Sequence, residues 1–168
     1  KSIIYSFIFN VVPDGFNFPL IGFVNVANGS HQSAHIGFFN MNQRNFTGAQ
    51  CAFVNITGGW VKGAQAGFIN TAANSLSGVQ SGFVNTAGNS VTGAQAGFVN
   101  LCGDSLKGVQ ISFVNVAGGS VKGPQTGFVN ISGGSVKGPQ IGFVNIAGGE
   151  IKGPQIGFVN ITGVGIKG

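Results

Sequence analysis

The stretch Gly-Pro-Gln-Ile-Gly-Phe-Val-Asn-Ile-Thr-Gly, residues 153–163, decides the fold because a version of it returns every fifteen residues. Its asparagine, Asn160, is the last of eleven that keep this spacing from Asn10 onward without an inserted or deleted residue. A fixed period of this kind is typical of a protein in which each repeat stacks on its neighbours. The sequence therefore predicts stacked repeats rather than a globule around one core.

The composition indicates a folded repeat protein with few charges. Of the 168 residues, 31 are Gly and 16 are Phe, and only 7% are charged, whereas about a quarter are charged in an ordinary soluble domain. Low charge together with regularly spaced apolar residues is the opposite of a disordered composition. No apolar run approaches the eighteen or so residues of a membrane helix, so we expect no transmembrane segment.

The chain divides into two parts by the quality of its repeats. Residues 1–47 keep the fifteen-residue spacing but blur the motif, and we interpret them as degenerate N-terminal repeats that act as a cap. Residues 48–168 are regular repeats of the same domain. The consensus tightens toward the C-terminus, where proline enters at Pro124, Pro139 and Pro154.

Each repeat predicts β-strands, because aromatic and β-branched residues are bounded by glycine. In residues 140–147, strict alternation of side chains gives two opposite sets: Ile141, Phe143, Asn145 and Ala147 on one face, and Gln140, Gly142, Val144 and Ile146 on the other. We expect Phe and Ala to fill the interior and the Val and Ile rows to face outward. A shorter strand is predicted at the aliphatic position held by Val136 and Ile151.

Two all-β architectures fit a repeat of this length. One is a parallel β-solenoid, or β-helix, of eleven 15-residue coils, and the alternative is an antiparallel β-meander of hairpin units. The solenoid is favoured because an asparagine amide gains most by hydrogen-bonding to its own copy above and below, which only parallel coils provide. The predicted structural ladder includes Asn55, Asn70, Asn85, Asn100, Asn115, Asn130, Asn145 and Asn160.

The outward rows of Val and Ile predict that copies of this chain associate. In the last three regular coils the rows contain Val129, Ile131, Val144, Ile146, Val159 and Ile161. A contiguous exposed apolar row is typical of an interaction surface. Residues 163–168 end the sequence in a nearly regular unit, whose open parallel edge would template another strand. We therefore expect a homo-oligomer or a filament, built by lateral and end-to-end packing.

Lysine recurs at one position of the repeat and would form a basic ladder, consisting of Lys62, Lys107, Lys122, Lys137, Lys152 and Lys167. Two interpretations stay open. The ladder either keeps an apolar rod soluble and blocks wrong sheet pairing, or it is a track for an acidic polysaccharide or another polyanion. Ser77 and Thr92 interrupt the ladder and no aromatic residue alternates with it, which argues against a specific nucleic-acid partner.

The sequence has no pattern of residues typical of an active site. The three acids, Asp14, Asp104 and Glu150, are far apart in sequence, which disfavours a paired-carboxylate enzyme. His31 and His35 lie four residues apart, but in a region that is not helical and that offers no further ligand at metal-site spacing. The cysteines, Cys51 and Cys102, replace small residues and are interpreted as packing residues. We predict no catalytic residue, no metal site and no cofactor, and hence not an enzyme.

At the motif Gly-Phe-Val-Asn-x-Ala-Gly, the chain resembles the tandem surface-repeat proteins and lipoproteins of spirochaetes and related bacteria. The resemblance covers residues 48–168 well and residues 1–47 loosely. It implies export and an extracellular or cell-surface location, and it carries over no catalytic residues. Together with the residue patterns, it predicts a structural, self-associating surface protein that forms fibres or a layer. The alternative is a surface adhesin that binds acidic glycans or matrix through the lysine ladder.

Overall fold

The computed structural model describes residues 3–165, and in this range the chain forms strands and no helix. The strands are β1 (Ile4–Tyr5), β2 (Phe9–Pro13), β3 (Leu20–Ile21), β4 (Val24–Asn28), β5 (His31–Ile36), β6 (Phe39–Asn42), β7 (Phe46–Cys51), β8 (Val54–Thr57), β9 (Val61–Ala66), β10 (Ile69–Ala72), β11 (Leu76–Ala87), β12 (Val91–Cys102), β13 (Leu106–Ile111), β14 (Val114–Ala117), β15 (Val121–Lys122), β16 (Gln125–Thr126), β17 (Val129–Ser132), β18 (Val136–Lys137), β19 (Gln140–Ile141), β20 (Val144–Ala147), β21 (Ile151–Lys152), β22 (Gln155–Ile156) and β23 (Val159–Thr162).

The strands stack in parallel, each in register with the strand fifteen residues away. Asn70 of β10 pairs with Asn55 of β8 on one side and with Asn85 of β11 on the other. The same offset holds from β2 to β23, so the chain winds through about ten turns of a parallel β-solenoid. The predicted fold class is confirmed, and the antiparallel meander is excluded.

A complete coil has three strand segments, seen most clearly in β15, β16 and β17, which are separated by bends. Within residues 3–165 four columns of side chains point inward. One is aliphatic, one is glutamine, one is asparagine and one is small, as illustrated by Val136, Gln140, Asn145 and Ala147. The aliphatic and small columns form one continuous apolar cluster from Phe46 to Ile151. Burial of this cluster is the main force that holds the coils together.

The predicted side-chain alternation is wrong at one place in each coil. Phe143 and Ile141 are exposed, whereas Gln140 is buried, which reverses the sides expected for these three residues. Asn145 and Ala147 are buried as predicted, and Val144 and Ile146 face outward. The reason is a bend at residues 142 and 143 between β19 and β20, which resets the alternation that a continuous strand would have kept.

The asparagine ladder is confirmed as a chain of buried hydrogen bonds. Within the described residues, Nδ2 of each ladder asparagine from Asn10 to Asn145 donates to Oδ1 of the asparagine fifteen residues later, at 2.7–3.1 Å. Most of these amides also donate to a backbone carbonyl of the next coil, as Asn85 does to Ala96 at 2.8 Å. Each buried amide is thus satisfied by its neighbours, which removes the cost of burying it.

A second amide ladder, which the sequence analysis missed, consists of buried glutamines. From Gln65 to Gln155, Nε2 of each glutamine donates to Oε1 of the glutamine fifteen residues earlier, at 2.7–2.8 Å. The same nitrogen donates across the coil to a carbonyl on the asparagine side, as Gln95 does to Leu101 at 3.1 Å. The glutamines therefore connect neighbouring coils and brace each coil internally. The glutamine amides donate toward the N-terminal coils, whereas the asparagine amides donate toward the C-terminal coils.

Glycine with a positive φ occupies the corner after the lysine position in each coil from Gly48 to Gly153. Gly93 has a φ of 133°, in a region that side chains disfavour. A Cβ placed there would also collide with the carbonyl oxygen of Gly78 in the preceding coil. This corner lets adjacent backbones approach closely enough to keep the parallel hydrogen bonds.

The N-terminal edge of the solenoid departs from the parallel pattern. Strand β1 runs antiparallel to β2, with Ile4 opposite Val11 and Tyr5 opposite Asn10. The amide nitrogen of Ser6 donates to Oδ1 of Asn10 at 2.8 Å and so satisfies the first amide of the asparagine ladder. This short strand covers the edge of β2 that faces away from the next coil, in which β4 pairs with the other edge of β2.

Candidate functional site

Phenylalanine forms a continuous ridge along the outside of the solenoid, and we call it the phenylalanine ridge. Within residues 3–165 it consists of Phe23, Phe38, Phe53, Phe68, Phe83, Phe98, Phe113, Phe128, Phe143 and Phe158. Successive ring centroids lie 4.8–5.2 Å apart and the ring planes differ by 0–8°. Stacking stabilises the ridge, yet the rings from Phe23 to Phe143 remain 43–57% exposed.

The stacked geometry limits what this ridge can bind. Both faces of an internal ring, such as Phe98, are occupied by the rings of Phe83 and Phe113. The exposed part of each ring is therefore its edge, which is apolar and carries the positive end of the ring quadrupole. Such a surface suits aliphatic or aromatic side chains better than a cation or a stacked planar ligand.

Next to the ridge lies the valine face, which we define as the outward side chains that flank the buried asparagines. It contains the predicted self-association residues, Val129, Ile131, Val144, Ile146, Val159 and Ile161. The first five are half-buried along the side of the solenoid and Ile161 is 49% exposed. The structure therefore brings all six into one surface that continues the apolar character of the ridge.

The lysine face is formed by the outward side chains that flank the buried aliphatic column. Lys107, Lys122, Lys137 and Lys152 pair in register as a single column, and all are exposed. Lys62 is exposed at the same position of an earlier coil, with Ser77 and Thr92 between, and Lys167 lies outside the described residues. Equal charges in adjacent coils lie about 5 Å apart and repel one another, so this face favours an anionic neighbour.

A column of serines runs beside the lysines, two residues earlier in each coil, and the two columns border a shallow trough. One part of the trough is lined by Ser90, Ser105, Ser120, Lys107 and Lys122, with Thr92 beside them. The adjoining part is lined by Trp60, Lys62, Ser75, Ser77, Ser90 and Thr92. Because Ser90 and Thr92 belong to both parts, the trough is continuous along several coils.

The serine column has an aromatic residue toward one end, where it lines the trough, and an acid toward the other, beyond the trough. Trp60, the single tryptophan of the chain, occupies a position of the serine column and is 41% exposed. Glu150 occupies the same position near the other end and pairs with Lys152 at 3.7 Å. The lysines between these two residues are the most basic part of the face.

His31 and His35 lie inside the solenoid, where Val61 and Gln65 lie two coils later. Nε2 of His31 is 3.0 Å from the carbonyl oxygen of Phe18, which can only accept, so this nitrogen carries the proton. Nδ1 of His31 then accepts from Nε2 of His35 at 3.0 Å. The ring of His35 also packs edge-on against Phe46, with centroids 5.0 Å apart.

The surroundings of these histidines disfavour their charged forms. Burial, with a smaller contribution from the charge of His31, lowers the pKa of His35 to about 3. Burial also lowers the pKa of His31, although its hydrogen bond to Phe18 opposes this change. Near the pair, Nδ1 of His35, Oδ1 of Asn42 and Nε2 of Gln50 are buried without a hydrogen-bond partner among the described residues. His35 and Gln50 belong to the column that becomes the glutamine ladder, whereas Asn42 belongs to the small column, between Ala27 and Thr57.

Nothing among residues 3–165 groups three or more His, Cys, Asp or Glu side chains as a metal site would require. Asp14 forms an ion pair with Arg44 at 3.7 Å. Asp104 lies far along the chain from Asp14, and its carboxylate accepts a hydrogen bond from the hydroxyl of Ser105 at 3.3 Å. Cys102 is buried as the packing interpretation requires, but Cys51 is exposed, and for that residue the interpretation is wrong.

No helix in the described part of the chain is long and apolar enough to cross a bilayer.

Comparison with known protein families, with curated proteins and with solved structures finds no match to this chain. The resemblance to spirochaete surface repeats, and the extracellular location that it implies, therefore stay predictions. The functional argument rests on the phenylalanine ridge, the valine face and the lysine face.

Proposed function

We propose that this protein is a structural repeat protein whose solenoids associate laterally through the phenylalanine ridge and the valine face. The observation that carries the proposal is the continuity of this apolar surface, which runs from Phe23 to Phe158 along one side of the solenoid. Soluble monomers rarely leave so long an apolar surface uncovered, and such surfaces usually bind another protein or a membrane.

The repeat spacing favours a second copy of this chain as the partner. Side chains in the ridge recur at the coil spacing, with ring centroids 4.8–5.2 Å apart. A second solenoid has the same spacing, so the side chains of one copy can fit between those of the other along the whole contact, as in a dry interface between paired sheets. A partner with a different period would lose this fit after a few residues.

Exposure of ring edges also favours an interface between proteins. Edges of Phe98 and its neighbours can pack against the Val and Ile side chains of a second valine face. Each such contact removes apolar area from water at about 25 cal/mol per Å². The gain accumulates with the number of coils, so a weak contact per coil becomes a strong contact per solenoid.

The proposal includes no catalytic activity or cofactor, and it places the protein outside the cell or at the cell surface. Support for this location comes only from the resemblance of the Gly-Phe-Val-Asn repeats to bacterial surface proteins. End-to-end stacking of solenoids, which would turn a laterally associated oligomer into a fibre, is part of the same proposal.

Two double variants, each of which adds two positive charges, test the lateral interface. Val129→Lys combined with Val144→Lys adds two positive charges to the valine face. Ser77→Lys combined with Thr92→Lys adds two positive charges at positions where other coils already have lysine. We expect the wild type and the second variant to form assemblies larger than one chain, and the first variant to be a single-chain rod.

The measurement is sedimentation velocity with negative-stain electron microscopy, at low and at high salt. Assemblies held by apolar contacts should persist in high salt. If the wild type is a monodisperse single-chain rod at every concentration, lateral association is excluded and the adhesin alternative gains support. If both double variants dissociate equally, net charge rather than the valine face controls assembly.

A further inference from the structure

We propose that the trough on the lysine face binds a linear anionic polysaccharide, with Trp60 as a stacking platform for a sugar ring. The proposal does not depend on self-association, because it uses a different face of the solenoid. It goes beyond a simple basic stripe, since it assigns separate parts of one binding site to the tryptophan, the serines and the lysines.

The first part of the argument is the position of Trp60. Its side chain is 41% exposed and lines the trough together with Ser75, Ser77 and Ser90. Unlike the phenylalanines of the ridge, Trp60 stacks on no other ring among residues 3–165, and serines rather than aromatic residues follow it in the next coils. An accessible indole face packs well against the apolar C–H face of a pyranose, and the adjacent hydroxyls can exchange hydrogen bonds with those of the sugar.

The second part is the lysine column, which has Lys62 beside Trp60 and resumes at Lys107 after Ser77 and Thr92. Lys107 and Lys122 line the same trough as Ser90, Ser105 and Ser120. Lys107 and Lys122 lie opposite each other on adjacent parallel strands, so the lysine positions recur at the strand spacing of about 4.8 Å. An extended chain with a carboxylate or sulfate on successive sugars would place anions along this column and would relieve the repulsion between neighbouring lysines.

The third part of the argument is the extent of the trough and the residues at and beyond its two ends. The residues that line the trough run from Trp60 to Ser120 and Lys122, and Glu150, which pairs with Lys152 at 3.7 Å, lies two coils beyond that end. An anionic ligand would therefore contact the lysines before Glu150 and avoid its carboxylate. The site spans the five coils from Trp60 to Ser120, or about 20 Å, which accommodates several sugar units.

A polysaccharide fits this trough better than a single-stranded nucleic acid does. Nucleic-acid grooves place an aromatic residue for successive bases, whereas the lining of this trough has one aromatic residue, at its end, and serine or threonine hydroxyls in every coil from Ser75 to Ser120. Hydroxyl columns match the many hydroxyl groups of a sugar chain. Polyuridylate is accordingly the competing ligand in the test.

The experiment titrates the full chain with polygalacturonate and follows tryptophan fluorescence, which reports on Trp60 alone because the chain has one tryptophan. Affinities for all variants are measured by isothermal titration calorimetry at two salt concentrations. The probes for comparison are dextran, a neutral polysaccharide, inorganic polyphosphate, an anion without sugars, and polyuridylate. Circular dichroism and thermal unfolding verify that each variant is folded.

We expect saturable binding of polygalacturonate with a change in Trp60 fluorescence, and weaker binding at higher salt. The triple variant Lys107→Gln, Lys122→Gln, Lys137→Gln should lose affinity by about tenfold or more at low salt. Trp60→Ala should weaken the binding of polygalacturonate but not that of polyphosphate. Arg44→Gln, which removes a positive charge outside the trough, should bind like the wild type.

Three results would overturn the proposal. The first is no saturable binding of polygalacturonate. The second is equal binding of polyphosphate and polygalacturonate with no effect of Trp60→Ala, which would leave only general attraction between charges. The third is tighter binding of polyuridylate than of polygalacturonate, with loss on Trp60→Ala, which would assign the trough to nucleic acid.

Discussion

Nε2 of His35 donates to Nδ1 of His31 at 3.0 Å inside the solenoid, so one proton lies between two buried imidazoles. Later coils place Val61 and Gln65 at these positions, where the glutamine takes part in the amide ladder. The histidine pair is thus the point where the N-terminal coils depart from the repeat, and the burial of these imidazoles makes the stability of the N-terminal coils depend on pH.

The first prediction concerns this pH dependence. Below about pH 6.5 the unfolded chain binds a proton at His35, but the native chain does not until the pH approaches its folded pKa of about 3. The free energy of unfolding should therefore be highest above pH 6.5 and fall by about 1.4 kcal/mol for each unit below it from His35 alone. Urea unfolding between pH 7.5 and 5 measures the effect above the range where most carboxylates titrate.

The control for this prediction is the double variant His31→Val, His35→Gln, which restores the residues of the later coils. It should keep nearly constant stability between pH 7.5 and 5, and Gln50 would gain an acceptor for its unpaired Nε2. If the wild type is equally stable across this range, the histidines are not buried as neutral groups.

The second prediction concerns the asparagine ladder. Asn85 accepts from Asn70 and donates to Asn100 and to the carbonyl of Ala96. Asn85→Ala should lower the free energy of unfolding by about 2–4 kcal/mol, because buried groups in the adjacent coils lose their partners. The matched control is Asn89→Ala, which changes an exposed asparagine in the same coil and should cost under about 0.5 kcal/mol. Equal effects in chemical denaturation would contradict a structural role for the ladder.

The third prediction separates two glycine positions of one coil. Gly93 has a φ of 133°, whereas the position of Gly97 is occupied by Ala52 and Ser112 in other coils. Gly93→Ala should be more destabilising than Gly97→Ala by about 1–2 kcal/mol, because only the first combines backbone strain with a backbone collision. The midpoints of thermal unfolding measure the difference. A larger loss for Gly97→Ala would show that contact with the asparagine ladder matters more than strain.

The fourth prediction uses the two free cysteines. Burial raises the pKa of the Cys102 thiol, and its sulfur lies 3.3 Å from the carbonyl oxygen of Asn89, whereas Cys51 is exposed. One thiol should react quickly with a thiol-specific reagent in the native protein, and the second only after unfolding. Cys51→Ala should abolish the fast reaction and leave the slow one. Two fast reactions would show that the coil around Cys102 opens readily.

Much of this architecture could be predicted from the spacing of one residue. The return of asparagine every fifteen residues, from Asn10 to Asn160, gives both the coil length and the parallel register. Glutamine recurs as regularly from Gln50 to Gln155, and the same reasoning about buried amides applies to it. That signal was present in the sequence, but strict alternation placed the glutamines on the outside.

The position of phenylalanine could not be predicted by alternation, because alternation holds only within one strand. The bend at residues 142 and 143 turns the ring of Phe143 outward, although an aromatic residue in a strand is usually expected to be buried. The alignment of Trp60, Ser75 and Ser90 follows from the fifteen-residue period, but the trough beside the lysines could not be predicted, since its depth depends on the shape of the corner between the serine and lysine columns. Both features follow from how the corners fold rather than from residue type.

The opposite directions of the two amide ladders have a consequence for the length of the molecule. Asparagine amides donate toward the C-terminal coils and glutamine amides toward the N-terminal coils, so the dipoles of the two rows largely cancel in each coil. A row of aligned dipoles pointing one way would have a net dipole moment that grows with each added coil. Because the two rows oppose one another, gaining or losing a whole repeat of fifteen residues changes the net dipole of the ladders little.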